Sequence, residues 1–130
     1  MRHTTLFLAS GLIAAAMPGL ARADANPWDG GDAAAGKAVF VKCSLCHYAE
    51  PNKVKIGPPL WGVVGRPSGS VPGYHYSTAM AAYNHVWTPE NLFNYLKAPM
   101  QVVKGTKMTF VGLSSPDDRK NVIAYLETLK

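Results

Sequence analysis

The two cysteines of the chain lie close together and are followed at once by a histidine. Cys43 and Cys46 are separated by two residues, and His47 comes directly after the second thiol, in the stretch FVKCSLCHYAE. Thiols and imidazoles can act as nucleophiles, bind metal ions and form covalent links. Their clustering in a chain with no other cysteine predicts that these three residues form a chemical site.

Three common uses of paired cysteines fit this motif poorly. A disulfide across two residues would close a very small loop and stabilise the fold little. A thioredoxin-like redox pair is expected within a βαβ pattern, which the sequence lacks. A zinc site needs two further ligands, and His75 and His85 do not have the usual zinc-ligand spacing.

The pattern C-x-x-C-H is the attachment signature of a c-type haem, and it uses all three residues. Two thiols on one turn can reach the two vinyl groups of a porphyrin, and the adjacent histidine then becomes an axial ligand of the iron. The residue that fills the sixth position decides whether such a haem carries electrons or binds small molecules. The candidates in the sequence are His75, His85, Met80, Met100 and Met108.

Met108 is the candidate best placed to bind the iron. It lies in KGTKMTFVGL, a glycine-flanked loop without helical periodicity. Met80 and Met100 lie in helical or proline-bounded segments, where methionine usually fills a core. His75 lies in a polar loop and is expected on the surface, and His85 follows a predicted helix end, where a cation suits the helix dipole.

The elements that must position this motif are predicted to be helices. Asp32 can cap a helix through AAAGKAVFVK that leads into Cys43. Gly36 inside it weakens the helix, and we expect it to allow close packing against the last helix. That last helix begins with Ser115 as cap and Pro116 in its first turn. Its apolar stripe comprises Val122, Ile123, Leu126 and Leu129.

The middle of the chain predicts short helices and a long irregular segment. Helices are predicted from STAMAAYN and from TPENLFNYLK, where Thr88 caps the second helix and Pro99 ends it. The stretch GPPLWGVVGRPSGSVPGY is too rich in glycine and proline for regular structure. A loop of this length is unusual in a small domain unless it wraps a cofactor. We therefore expect an all-α fold with three longer helices, one or two short ones and a haem at its centre.

The N-terminal residues are predicted to be a secretory signal peptide. Arg2 and His3 precede a short apolar run, and the small residues of ARA provide a cleavage site after Ala23. The alternative, an uncleaved anchor, would need roughly 20 apolar residues to span a bilayer. We therefore expect residues 1–23 to be removed, residues 24–130 to form one domain, and the mature protein to lie in the periplasm. Loss of two arginines lowers the formal net charge from +5 to +3, which suits an acidic protein partner and is too weak to suggest nucleic acid.

Five stretches of the sequence together resemble class I cytochromes c, both the mitochondrial type and its bacterial periplasmic counterparts. They are GKAVFVKCSLCH, IGPPLWGVVGR, PGYHYSTA, YLKAPMQVVKGTKMTF and VIAYLETL, and their order and spacing are those of the family. The resemblance extends over residues 31–130. It differs at Met80, where the family often has an asparagine that takes part in an internal water network, and at Pro59 and Trp61.

The resemblance implies one covalent haem c and a role for each matching residue. Thioether bonds would form at Cys43 and Cys46, with His47 as proximal and Met108 as distal iron ligand. The resemblance implies further cofactor-binding positions. The carbonyl of Pro58 would orient the proximal imidazole, and Phe110 would cover the exposed haem edge. One propionate would lie near Tyr76, Trp87 and Arg66, and the distal ligand and the other propionate would lie near Tyr95 and Thr106.

A haem with histidine and methionine ligands has no open site, which favours a one-electron carrier over an enzyme. The resemblance implies a monomer without a small-molecule substrate that docks on acidic faces of redox proteins, such as a quinol-oxidising complex, a terminal oxidase or a photosynthetic reaction centre. The lysines expected near the docking face are Lys42, Lys55, Lys104 and Lys107. The alternatives are a haem peroxidase or gas-binding haem protein, and a thiol or zinc protein without haem.

Overall fold

The computed structural model describes residues 25–130, so the predicted signal peptide, residues 1–23, lies outside the described part of the chain. The described residues form the helices α1 (Ala33–Phe40), α2 (Thr78–Ala81), α3 (Pro89–Tyr95), α4 (Pro99–Val102) and α5 (Pro116–Glu127). Among the described residues, Pro67 and Val86 form an isolated antiparallel β-bridge. The all-α prediction, with three longer and two short helices, is confirmed.

Four of these helices begin at a side-chain cap. Asp32 accepts a hydrogen bond from the backbone N–H of Ala35 at 2.7 Å, which starts α1. The caps of α2, α3 and α5 are Ser77, Thr88 and Ser115, and each accepts a backbone N–H three residues further on. Each cap satisfies a helix N–H that has no partner within the helix, which fixes where the helix starts.

The first and last helices cross at Gly36, as predicted. A Cβ atom at this position would lie 1.8 Å from the backbone oxygen of Asn121 in α5, so only glycine permits this approach. The side chain of Asn121 also accepts a hydrogen bond from the backbone N–H of Asp32 at 2.8 Å. The crossing thus fixes the position of α1, and with it the start of the cysteine motif.

The core is formed by apolar side chains from the helices and from the long irregular segment. The apolar stripe predicted for α5 is buried, with Val122 and Ile123 only 1% and 2% exposed. The other buried hydrophobic residues are Phe40, Val63, Trp87, Leu92, Tyr95, Leu96, Val103, Leu113, Leu126 and Leu129. Many of them also line the internal cavity described below, so the core is built around that cavity.

The segment after α3 differs from the prediction. Pro99 was expected only to end a helix, but α3 ends at Tyr95 and Pro99 begins α4. Proline is well suited to the first position of a helix, because the N–H that it lacks would have no partner there. Met100, expected in the core, is 40% exposed on this single turn. Met80 is half-buried and packs against the core, as expected.

Within residues 25–130, no helix is both long enough and apolar enough to cross a lipid bilayer.

Candidate haem-binding site

The interior of the fold contains a cavity of about 570 Å³. Every residue to which the resemblance assigns a role at the cofactor lies on its wall. These residues are Cys43, Cys46, His47, Pro58, Arg66, Tyr76, Trp87, Tyr95, Thr106, Met108 and Phe110. They come from segments far apart in the sequence, so the fold brings them to one place.

Cys43 and Cys46 lie in the turns that directly follow α1. The backbone N–H groups of Cys46 and His47 both donate to the carbonyl of Cys43, at 3.0 and 2.9 Å. The two cysteines form no disulfide with each other, and both line the cavity. Burial raises the pKa of Cys43 to about 11, so this thiol is protonated at neutral pH. The arrangement presents two thiols and an imidazole to the same space, as covalent attachment of a porphyrin requires.

The imidazole of His47 is oriented by a backbone carbonyl. Its Nδ1 lies 2.7 Å from the carbonyl oxygen of Pro58. A carbonyl can only accept, so Nδ1 carries the proton and Nε2 keeps its lone pair. Burial lowers the pKa of His47, which favours the neutral ring. Nε2 is thus the nitrogen that is free to bind a metal.

Gly57 provides the space in which this ring lies. A Cβ atom at position 57 would be 2.3 Å from Cε1 of His47 and 2.6 Å from its Nδ1. The backbone cannot easily move away, because the N–H of Gly57 donates to the carbonyl of Cys46 at 2.7 Å. Sequence reasoning missed Gly57 as a site residue, although it lies within the quoted stretch IGPPLWGVVGR.

Met108 is held by two hydrogen bonds, one at its sulfur and one at its backbone. The hydroxyl group of Tyr95 donates to the sulfur at 3.2 Å, and the backbone N–H of Met108 donates to Oγ1 of Thr106 at 3.1 Å. A thioether sulfur has two lone pairs, so one remains for a metal. Burial raises the pKa of Tyr95 to about 12, which keeps its hydroxyl group protonated and able to donate.

Arg66 offers an unused donor at the cavity wall. Its two terminal nitrogens donate to the carbonyls of Trp61 and Pro59, both at 3.0 Å. Its Nε is buried and has no hydrogen-bond partner among the described residues. A buried N–H without an acceptor is costly. A carboxylate of a bound group, such as a haem propionate, would satisfy it.

Tyr76 and Trp87 also lie on the cavity wall. The hydroxyl oxygen of Tyr76 accepts a hydrogen bond from the backbone N–H of Val71 at 3.1 Å, so its own proton remains available for a further acceptor. Trp87 is 7% exposed and packs against Tyr95, with ring centroids 4.7 Å apart. The cavity, its paired thiols, the oriented imidazole and thioether, and the unsatisfied Arg66 therefore fit a haem.

The mouth of the cavity combines apolar and basic side chains. Leu45 and Ile56 line the cavity and are 74% and 76% exposed, which sequence reasoning did not single out. Lys42 and Lys107 also line the cavity. The ammonium group of Lys107 donates to the carbonyl of His75.

The two remaining lysines of the expected docking face differ in their contacts. Lys55 donates to the carbonyl of Ser44 at 2.7 Å. Lys104 is exposed and is not among the cavity-lining residues. Hydrogen bonds to carbonyls fix the positions of Lys55 and Lys107 but leave their positive charges in place.

The structure gives no support to a zinc site at this motif. His75 and His85 are both exposed, as expected for surface histidines. Within residues 25–130, no group of three or more His, Cys, Asp or Glu side chains is arranged to hold a metal ion.

Comparisons with known proteins point to one family. A family model described as "Cytochrome c" matches residues 33–130. The chain is 50% identical over 101 residues to cytochrome c2 of Rhodopila globiformis, a match that covers 77% of this chain and 95% of that protein. It is 45% identical over 100 residues to cytochrome c2 of Agrobacterium tumefaciens, covering 74% and 90% of the two chains.

A solved structure is also similar. Cytochrome cH from Methylobacterium extorquens matches with a TM-score of 0.72 and 41% sequence identity, over 75% of this chain and 99% of that chain. The fold, the C-x-x-C-H motif at Cys43 and Cys46, and the extent of these matches lead to one conclusion. The protein is a haem-binding electron carrier with one covalent haem c, and it belongs to the cytochrome c family.

Proposed function

We propose that the protein is a soluble periplasmic one-electron carrier whose haem iron is bound by His47 and Met108. The observation that carries this proposal is that each side chain has one potential ligand atom left for the cavity. Pro58 engages Nδ1 of His47 and leaves Nε2, while Tyr95 engages one lone pair of the Met108 sulfur and leaves the other. A pair of ligands oriented in advance needs little rearrangement when the iron changes its charge.

The bound haem supplies a reversible change between ferric and ferrous iron. The residues of the chain set the conditions for that change. Cys43 and Cys46 attach the porphyrin, and buried apolar side chains such as Leu92 and Val63 on the cavity wall keep water away. The thioether ligand favours the ferrous state, and the hydrogen bond from Tyr95 reduces the electron density that the sulfur can donate. Arg66, Tyr76 and Trp87 are the residues that would hold the propionate groups.

Partners of this carrier are proposed to be redox proteins with acidic docking faces. The mature chain would be mildly basic, and Lys42 and Lys107 lie at the cavity mouth beside the apolar Leu45 and Ile56. Opposite charges raise the rate of encounter, and small interfaces keep such redox complexes transient. A quinol-oxidising complex, a terminal oxidase or a photosynthetic reaction centre has the chemistry to donate or accept single electrons in this way. Export by the predicted signal peptide would place the carrier with them.

The assignment of Met108 is tested by visible spectroscopy of the purified protein and of Met108→Ala. Sulfur bound to ferric haem gives a weak charge-transfer band at long wavelength, which we expect in the parent protein and not in the variant. Met100→Ala, which alters a methionine that is 40% exposed, should retain the band.

Carbon monoxide separates the carrier from the peroxidase or gas-binding alternative. A ferrous iron with both axial positions filled binds carbon monoxide slowly, so rapid binding is expected only for Met108→Ala. Rapid binding by the parent protein at neutral pH, or a band that survives Met108→Ala, would contradict the proposed ligand set.

A further inference from the structure

Arg119 is a charged residue of α5 whose side chain lies in the core. It is 4% exposed, and within residues 25–130 it forms no ion pair with a carboxylate. Its Nε is buried without a hydrogen-bond partner among the described residues. Burial of a charge without a counterion opposes folding, because the charge loses its interaction with water. The contacts that Arg119 makes in return therefore indicate its role.

The guanidinium group of Arg119 holds the end of the loop between α4 and α5. We call this loop, residues 103–115, the distal loop, since it carries the proposed distal iron ligand. One terminal nitrogen of Arg119 donates to the carbonyls of Leu113 and Ser114, at 2.6 and 3.0 Å. The guanidinium group also lies over the ring of Phe93 in α3, 4.4 Å from the ring centroid. Hydrogen bonds from a charged donor and contact with an aromatic face both stabilise a buried guanidinium group.

Leu113 is held from a second side by the backbone that ends α3. Its N–H group donates to the carbonyl of Leu96 at 2.7 Å, and its side chain is 3% exposed. At Gly112 the chain passes so close to the end of α3 that a Cβ atom would lie 2.2 Å from the backbone oxygen of Lys97. Leu113 is therefore fixed between the end of α3 and the side chain of Arg119.

The distal loop has little backbone support between its two ends. Before Met108, the N–H group of Thr106 donates to the carbonyl of Val103 at 3.1 Å. Among the described residues, no backbone N–H between Thr106 and Leu113 donates to a backbone carbonyl. Leu113 is thus the first backbone anchor that follows Met108. Segments with few backbone hydrogen bonds open most easily, so the strength of this anchor governs how readily the loop opens.

We propose that Arg119 is a positioning residue for the distal iron ligand: by holding Leu113 and Ser114, it keeps the distal loop in place and limits dissociation of the Met108 sulfur from the iron. The inference rests on the proposed assignment of Met108 as a ligand. Arg119 does not line the cavity, so it acts on the sulfur through the backbone of the loop and not by contact.

The rate of carbon monoxide binding to the ferrous protein tests this role, because carbon monoxide binds the iron only after the sulfur has left it. In Arg119→Met, an unbranched apolar side chain fills the space but donates no hydrogen bond. We expect this variant to bind carbon monoxide about tenfold faster than the parent protein, since hydrogen bonds from a charged donor contribute about this factor to an equilibrium. Arg119→Lys keeps the charge and a donor but not the planar group, and its rate should lie between the two.

Ile123→Val is the matched control, because Ile123 is a core residue of the same helix that does not line the cavity. The substitution lowers the stability of the fold without removing a hydrogen bond to the distal loop. It should bind carbon monoxide at the parent rate. Phe93→Leu removes the ring beneath the guanidinium group and leaves the donors of Arg119 in place, so it provides a milder variant if Arg119→Met fails to fold. We expect its rate to rise a few-fold.

Hydrogen exchange at the backbone N–H of Leu113 tests the anchor without reference to the iron. Exchange of this proton should be about tenfold faster in Arg119→Met, with a smaller change at the N–H of Gly36, which donates to a carbonyl at the start of α1. The inference is overturned by an unchanged exchange rate at Leu113, by parent-like carbon monoxide binding in the Arg119 or Phe93 variants, or by an equal acceleration in Ile123→Val. A parent protein without the long-wavelength band would instead contradict the assignment of Met108, so the two failures are distinguishable.

Discussion

The hydroxyl group of Tyr95 donates a hydrogen bond to the sulfur of Met108 over 3.2 Å. These residues lie on α3 and on the loop that follows α4, and they meet at the cavity wall. Because the sulfur is the proposed iron ligand, loss of the Tyr95 hydroxyl group acts on the iron through this one hydrogen bond. Tyr95 is therefore a positioning residue whose effect can be measured in isolation.

Replacement of Tyr95 by phenylalanine should lower the reduction potential. Without the hydrogen bond, the sulfur donates more electron density and stabilises ferric iron. A hydrogen bond contributes about 1 kcal/mol, equivalent to about 40 mV for one electron. Redox titration of Tyr95→Phe measures the change. Tyr125→Phe, which alters a tyrosine that packs on Phe40 and does not line the cavity, should leave the potential unchanged.

The same tyrosine should make stability depend on pH in the alkaline range. Burial raises its pKa from 10.0 to about 12, so below pH 10 the phenol is protonated in both the folded and the unfolded chain. As the pH rises from 10 to 12, the unfolded chain loses this proton first, and the free energy of unfolding falls by about 3 kcal/mol in total. Guanidinium unfolding at a series of pH values should show this loss for the parent protein. Tyr95→Phe should lack this component, and an identical pH dependence in both proteins would refute it.

Gly57→Ala should disturb the proximal imidazole. Its Cβ would lie 2.3 Å from Cε1 of His47, and overpacking of this kind costs about 1–3 kcal/mol. We expect weaker haem attachment and lower stability, measured by haem content and by chemical unfolding. Gly73→Ala is the control, because the space at Gly73 is open and its φ of +76° makes the substitution strained for a different reason. It should reduce stability by about 1–2 kcal/mol while the haem spectrum stays unchanged.

Charge reversal at Lys104 or Lys107 should slow electron transfer to an acidic partner at low salt without a comparable change in potential. Exposed charges attract over about 10 Å at 0.1 M salt, so the difference from the parent protein should shrink as salt is added. Oxidation by membranes containing a terminal oxidase provides the measurement. Lys107→Glu also removes the hydrogen bond to the carbonyl of His75, whereas Lys104→Glu changes an exposed residue. Lys130→Glu, which changes an exposed lysine that is not one of the four expected at the docking face, is the control. Equal rates for all these proteins at low salt would exclude steering by this face.

The helices were largely predictable because their signals are local. Asp32, Thr88 and Ser115 each precede a helix and accept the N–H group that the cap position requires. The start of α4 was missed because a proline can either end one helix or begin the next. The sequence alone does not tell these two cases apart, since the surrounding packing decides between them. Met100 was misjudged for a related reason, since a helix of one turn has no periodicity from which its buried face can be read.

The residues on the cavity wall were predictable, but their contacts with one another were not. The spacing of Cys43, Cys46 and His47 suggested the haem without any structure. By contrast, the fit between Gly57 and the His47 ring, and the unsatisfied Nε of Arg66, depend on distances between separate segments. The ring contacts among Tyr83, His85, Trp87 and Tyr95 were equally hidden, because these residues meet only through the turn at Asn84 and the packing of α3.

The crossing of α1 and α5 at Gly36 has a consequence for biogenesis. The two helices come from opposite ends of the domain, so α1 lacks its partner until the C-terminal residues have been made. Until then the close approach at Gly36 cannot form, and a chain cut short before α5 would leave α1 without the helix against which it packs. Because the cysteine motif directly follows α1, loss of the C-terminal residues would also remove support from the segment that carries Cys43 and Cys46.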